Sequence, residues 1–264
     1  MAYYLRVVKV LVATEFKLQY EDSSLGYLWS LLKPLALFSV LYVVFGRLLR
    51  MGLVFEHFPL YLLIGLVLWI FFANSTTLAM TSVVSQGSLL RRLAFPRVII
   101  PISATVNAAI AFLFSLVAIV VLIAWNAIVP RLDWLMLIPL LLELYALTLA
   151  VSLLLAALYV RFRDIGQIWE VGSQLLFYLT PVIYPLELLP DWARTVVFLN
   201  PFTQIMQDAR GIILYEDSGS NVATSATVFG DGAGRLFPLL VVGVLLLLGL
   251  IVFKRDERRF AEQV

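Results

Sequence analysis

Six stretches of this chain, residues 28–48, 59–82, 98–125, 134–160, 166–184 and 236–253, are predominantly apolar. Each is close to the roughly 20 residues a helix needs to cross a bilayer. Composition supports that reading: 62% of residues are hydrophobic, 14% are charged, and mean hydropathy is +0.98. A soluble domain carries about 25% charged residues. A chain this apolar could not cover its surface in water, so the excess faces lipid. The expected fold is an all-α membrane protein with six transmembrane helices in one domain, 1–264. The fifth stretch is the least clean, because it holds Glu170, Gln174 and Pro181.

The segment before the first stretch, 1–24, does not span. Arg6, Lys9 and Lys17 recur near helical spacing, while Leu5, Val8, Val12 and Phe16 fall on another face. That pattern predicts an amphipathic helix lying in the membrane interface, the alternative being a polar tail. It is not a signal peptide, since no clean apolar run with a small-residue cleavage site follows the first basic residues. With the N-terminus cytoplasmic, that side collects Arg6, Lys9, Lys17, Arg91, Arg92, Arg97, Arg161, Arg163, Lys254, Arg255, Arg258 and Arg259. The opposite side holds Arg47, Arg50, Arg131, Arg194, Arg210 and Arg235, a ratio of 12 to 6. Lys33 is left over at the start of the first span. The asymmetry places both termini in the cytoplasm.

Between the fifth and sixth stretches, Pro181, Pro185, Pro190 and Pro201 interrupt the chain. Apolar runs too short to span follow, so 185–235 is expected to form external re-entrant segments and a polar, Gly-rich outer loop at 216–234.

Several chemistries are excluded. There is no cysteine and one histidine, His57, so no thiolate metal site, Cys/His pair or His-bearing metal cluster can be built. No glycine-rich turn ends in Lys followed by Ser or Thr, because the four lysines precede Val10, Leu18, Pro34 and Arg255. The chain is therefore expected to be no enzyme, to hold no cofactor, and to hydrolyse no nucleotide itself. Glu143, about ten residues into the fourth stretch, and Glu170 are the candidates for a proton relay, the alternative for Glu143 being a place near an interface or a pair within the protein.

"YEDSSLGYLWSLLKPL" (20–35), "LYLLIGLVLWIFFANST" (60–76), "SLLRRLAFPRVIIP" (88–101), "TPVIYPLELLP" (180–190) and "LNPFTQIMQDARGIILY" (199–215) occur in that order. Together they resemble the ABC-2 type permeases of the polysaccharide and polyol phosphate exporter family, which carry O-antigen, capsule, teichoic acid and galactan. The resemblance covers nearly the whole chain. It implies a homodimer in the bacterial cytoplasmic membrane, with two ABC ATPase subunits on the cytoplasmic face binding ATP and Mg. It implies a lipid-linked glycan as substrate, membrane lipids as surroundings, and no nucleic acid. The nearer rival is an ABC-2 exporter of a drug or small lipid, and the more distant one a stand-alone secondary transporter or intramembrane enzyme.

The resemblance also assigns the basic knot. Residues 86–97 would be the coupling helix between the second and third spans, with Arg91, Arg92 and Arg97 meeting an ATPase around the apolar Leu89, Leu90 and Phe95. Ser88 opens the knot, and Pro96 sets the entry to the third span. For the arginines the alternative is a topology signal alone. Leu25, Gly26 and Tyr27 would form a turn gating the cytoplasmic mouth, with Gly26 permitting the bend. A sliding sugar polymer suits rings and hydrogen-bonding groups. Phe38, Tyr42 and Phe45 share one face of the first span, and Gln167, Glu170, Gln174 and Phe177 share a stripe on the fifth with Tyr178 close by. The alternative for these aromatics is helix packing.

Overall fold

The computed structural model describes residues 2–20, 26, 28–53, 57–87, 95–214, 223–229, 233–257 and 260. Among them all regular structure is helical. The elements are α1 (Ala2–Tyr20), α2 (Leu28–Leu41), α3 (Phe58–Ser85), α4 (Ile99–Trp125), α5 (Leu137–Arg161) and α6 (Ile165–Leu179). Then follow α7 (Asp191–Phe198), α8 (Pro201–Leu214), α9 (Ser225–Phe229) and α10 (Ala233–Asp256). A π-helical turn, Tyr42–Leu48, extends α2.

Among the described residues, five helical segments are long and apolar enough to cross a membrane: Leu28–Leu48, Phe58–Ser85, Ile99–Trp125, Leu132–Arg161 and Leu236–Asp256. The expected fifth span, 166–184, is shorter than its apolar run. Its helix, α6, has 15 residues and stops at Leu179, because Thr180 precedes Pro181 and takes an extended conformation. Fifteen residues rise only about 22 Å, short of a hydrocarbon core of about 30 Å.

α3 is the central helix. In its most apolar stretch 72% of residues are buried, against 6% for α2. It packs on α4 and α5, while α5 carries α10 on its far side. Trp69 and Phe72 point to one face of α3, where they meet Phe202 of α8; Phe71 points the other way and lies 4.6 Å from Phe112 of α4, ring centre to ring centre.

α2 is pinned in an unusual way. Pro34 has no N–H to offer the carbonyl of Ser30, one turn back. Ser115 Oγ of α4 donates to that carbonyl at 3.0 Å instead, so a backbone acceptor in the apolar layer is satisfied across helices.

α1 lies along α4. Val8, Val12 and Phe16 meet Val106 and Ile110, and Val12 is buried. The segment 185–235 contains α7, α8, α9 and the start of α10. The outer loop expected at 216–234 is in part packed structure: α9 falls inside it, Ser225 is buried, and its backbone N–H donates to Asp208 at 2.7 Å.

Candidate functional site

The basic knot is held at both ends. Of its residues, Ser88, Leu89, Leu90, Arg91 and Arg92 lie outside the described ones. Just before them, Gln86 donates to the Glu15 carboxylate of α1. Just after them, the backbone N–H of Arg97 donates to Glu257 Oε1 at 2.7 Å, and its guanidinium donates to the Glu257 carbonyl. Glu257 follows the end of α10. Three elements far apart in sequence therefore converge on one connection.

Phe95 turns toward an apolar cluster of Val83, Ile100, Leu153, Phe253 and Phe260 rather than away from it. Phe253 and Phe260 meet edge-to-face at 5.1 Å. Pro96 is half-buried, and its carbonyl accepts from Ile99 at 3.1 Å to open α4. Burial raises the Glu15 carboxyl above its usual range, with the hydrogen bonds from Gln86 and Ser103 acting in the opposite sense. Leu25 and Tyr27 of the expected gate also lie outside the described residues. Gly26 has a φ of 46°, a left-handed turn that glycine adopts without strain, and its carbonyl accepts from Trp29 at 3.3 Å.

The expected path residues divide into two groups. On α2, Phe38 and Tyr42 stack with ring centres 5.8 Å apart, and Phe45 follows on the same side. All three are half-buried against the core. On α6, Gln167, Glu170, Gln174 and Tyr178 are exposed and follow one another at helical spacing. Phe177 does not share that stripe. It turns inward onto Trp69, centroids 5.6 Å apart, and Tyr178 replaces it on the outer face. Trp169 likewise turns inward, onto Phe72. α6 thus turns Trp169 and Phe177 to its own chain and leaves outside a polar stripe beside the exposed Ile168, Val171, Leu175 and Leu179.

Arg210, one of the basic residues expected on the outer side, has a fully buried side chain. Its Nε donates to the Tyr61 carbonyl at 3.0 Å, Nη1 to the Pro181 carbonyl at 2.8 Å and to Gln207 Oε1 at 3.0 Å, and Nη2 to the Val182 carbonyl at 2.8 Å. The guanidinium sits 3.6 Å from the Tyr61 ring centre. Gly65 makes room, since a Cβ there would fall 2.1 Å from Nη2. The carbonyls left over where α6 breaks at Pro181 are what solvate this charge. The signal available in the sequence was the pair Gln207 and Arg210, three residues apart on an amphipathic helix too short to span. Glu143 is buried on α5, with Asp208 of α8 near enough to act on it electrostatically.

No cluster of three or more His, Cys, Asp or Glu that could hold a metal occurs among the described residues. What the arrangement supplies is a set of hydrogen-bonding groups along α6 and an anchored connection at 86–97.

A family model described as ABC-2 type transporter matches residues 6–214. An O-antigen export system permease protein RfbA of Klebsiella pneumoniae is 27% identical over 263 residues, 99% of this chain and 96% of that protein. Its namesake from Myxococcus xanthus is 30% identical over 258 residues, 96% of this chain and 94% of that protein. The polysialic acid transport protein KpsM of Escherichia coli is 21% identical over 212 residues, covering 78% of this chain and 81% of that protein.

Proposed function

This chain belongs to the ABC-2 type transporter family, and on that footing we propose that it is the permease subunit of a bacterial exporter. Its cargo is a lipid-linked polysaccharide, moved outward across the plasma membrane. The energy comes from two separate ATPase subunits that bind ATP and Mg. The permease works as a homodimer, with α6 as a fifth crossing completed by the segment after it, α8 re-entrant, and both termini cytoplasmic.

The observation that carries the reading is the exposed stripe of α6. Amide and carboxylate groups facing hydrocarbon are costly. Gln167, Glu170, Gln174 and Tyr178 are exposed on this chain, so in the membrane they face water or a second subunit. A polymer rich in hydroxyls sliding between two such helices exchanges hydrogen bonds with these groups and stacks its C–H faces on Tyr178 and the α2 rings. The knot at 86–97 is the ATPase contact, with the charges of Arg91 and Arg92 serving the partner. Because Glu15 and Glu257 hold its two ends, a push on the knot reaches α1, α3, α4 and α10 together. The Gly26 turn lies between α1 and α2, where such a push opens the cytoplasmic mouth.

Depletion of the protein tests this. The expected result is accumulation of a polyprenyl-linked glycan inside the cell, and unchanged glycan distribution overturns the reading. Cysteine introduced at Gln174 tests the dimer without background, since the chain has no native cysteine. Crosslinks between copies are expected, and their absence across a series along the stripe removes the dimer path.

A further inference from the structure

A cavity of about 520 Å³ lies between α2, α3 and α4, away from the α6 stripe. Its lining mixes apolar residues with Ser30 and Lys33 of α2, Asn74 and Thr77 of α3, and Ser115 of α4. Lys33 lies inside the first membrane-spanning segment, and among the described residues no acidic side chain lines the cavity. A cation at this depth requires a counter-charge, and the described residues provide none in the cavity. Neutral donors accompany it: the Asn74 amide and the Thr77 hydroxyl, both exposed. A cation with amide and hydroxyl donors is the chemistry that receives a phosphate oxygen.

The depth fits a headgroup. α1 rests on α4 beside Val106 and Ile110. Ser115, in the cavity wall, is five residues further along α4, a rise of about 7–8 Å. With α1 in the interface, Ser115 lies just inside the acyl region, and the long side chain of a lysine at such a depth carries its charge back toward the headgroups. The cavity's volume is of the order of a small-molecule site, roughly 300–1,000 Å³, and the apolar wall at Phe71 gives the adjoining chain a surface.

We propose that this cavity binds the phosphate of an anionic membrane amphiphile, with Lys33 as its counter-charge and Asn74 and Thr77 as donors. The proposal rests on the exporter reading only for the leaflet it faces. The phosphate could come from a polyprenyl carrier or from bulk phospholipid, which share this chemistry.

The test measures lipid retention by native mass spectrometry on the purified full chain, without ATPase. The probes are a polyprenyl phosphate, the matching polyprenol, phosphatidylglycerol and inorganic phosphate. Wild type is expected to retain the polyprenyl phosphate over the polyprenol by about tenfold, the scale of one charge-assisted pair. Lys33→Met should erase that preference and Lys33→Arg should keep it. Ala111→Leu, which narrows the cavity without touching its charge, should lower retention of both. Equal retention of phosphatidylglycerol supports the site and names bulk phospholipid as its source. Unchanged preference in Lys33→Met overturns the proposal and leaves Lys33 a snorkelling lysine. Displacement of the lipid by inorganic phosphate alone overturns the amphiphile. A chain that binds as expected, but whose depletion traps no glycan inside the cell, overturns the exporter reading and leaves the site standing.

Discussion

α6 and α8 are nearly the same length, 15 and 14 residues, and each pairs an apolar face with a polar one. Their polar groups meet opposite fates. α8 buries Thr203, Gln204, Gln207 and Arg210 completely, packed among α3, α5 and α10. α6 buries no residue fully and leaves its polar stripe outside. A short polar helix at membrane depth is tolerated when protein satisfies it. α8 meets most of that condition within its own chain, although Thr203 Oγ1, Gln204 Oε1 and Gln207 Nε2 are buried without a partner among the described residues. α6 does not, and its stripe is therefore the part of the molecule that requires something else.

The largest effect that could break this contrast is at Arg210. Arg210→Met leaves the carbonyls of Tyr61, Pro181 and Val182 without their donor, and we expect a loss of about 3–5 kcal/mol, the scale for breaking a buried charged network. Arg210→Lys should recover little, since a single ammonium cannot reproduce the fork. Gly65→Ala should be comparably damaging in wild type and much milder beside Arg210→Met, because its clash is with the guanidinium. Thermal unfolding of the four proteins in detergent measures that coupling.

A smaller loss is expected on α8 at Gln204, whose Nε2 donates to the Phe198 carbonyl while Oε1 is buried with no partner among the described residues. Gln204→Met should cost about 1 kcal/mol, one hydrogen bond less the relief of a stranded acceptor. A loss as large as that at Arg210 would mean that α8 is held by its amides as much as by its arginine.

On α6 the same chemistry should read differently. Glu170→Ala and Gln174→Ala should leave stability within about 0.5 kcal/mol, as exposed substitutions do, yet reduce glycan export. Destabilisation without loss of export would make the stripe structural and remove the contrast.

Glu15 lies between the two cases, half-buried and bonded to Gln86. Its carboxyl is raised above 4.5 by burial. The folded protein therefore holds this proton more tightly than the unfolded chain, and docking of α1 should strengthen as pH falls from neutral toward 4.5. Glu15→Gln should flatten that dependence and give the smallest stability change of the set. A spin label on α1 reports docking, and an unchanged pH profile in Glu15→Gln assigns the effect elsewhere.

How much of this was legible varies with the physics. The five long spans follow from apolar runs of sufficient length, which no tertiary contact has to arbitrate, and their ends agree within a few residues. The docking face of α1 follows from the spacing of Val8, Val12 and Phe16. The fifth run, 166–184, is longer than its helix, because apolar content continues through Val182 and Ile183 while Pro181 ends the helix. Phe177 was placed on the polar stripe by spacing, but its contact with Trp69 decided the inward turn.

Apolar length and helical periodicity are local properties, and they determined a helical membrane protein. Which charge is buried is not local. Arg210 and Arg194 look alike as basic residues between the last two apolar runs. Only the fold brings three backbone carbonyls and an empty Cβ position at Gly65 to the first of them. Likewise only the fold joins Glu15, the connection at 86–97 and Glu257, three sites spread over most of the chain. A buried polar group is set by which partners arrive, and their arrival depends on the packing of every helix between them.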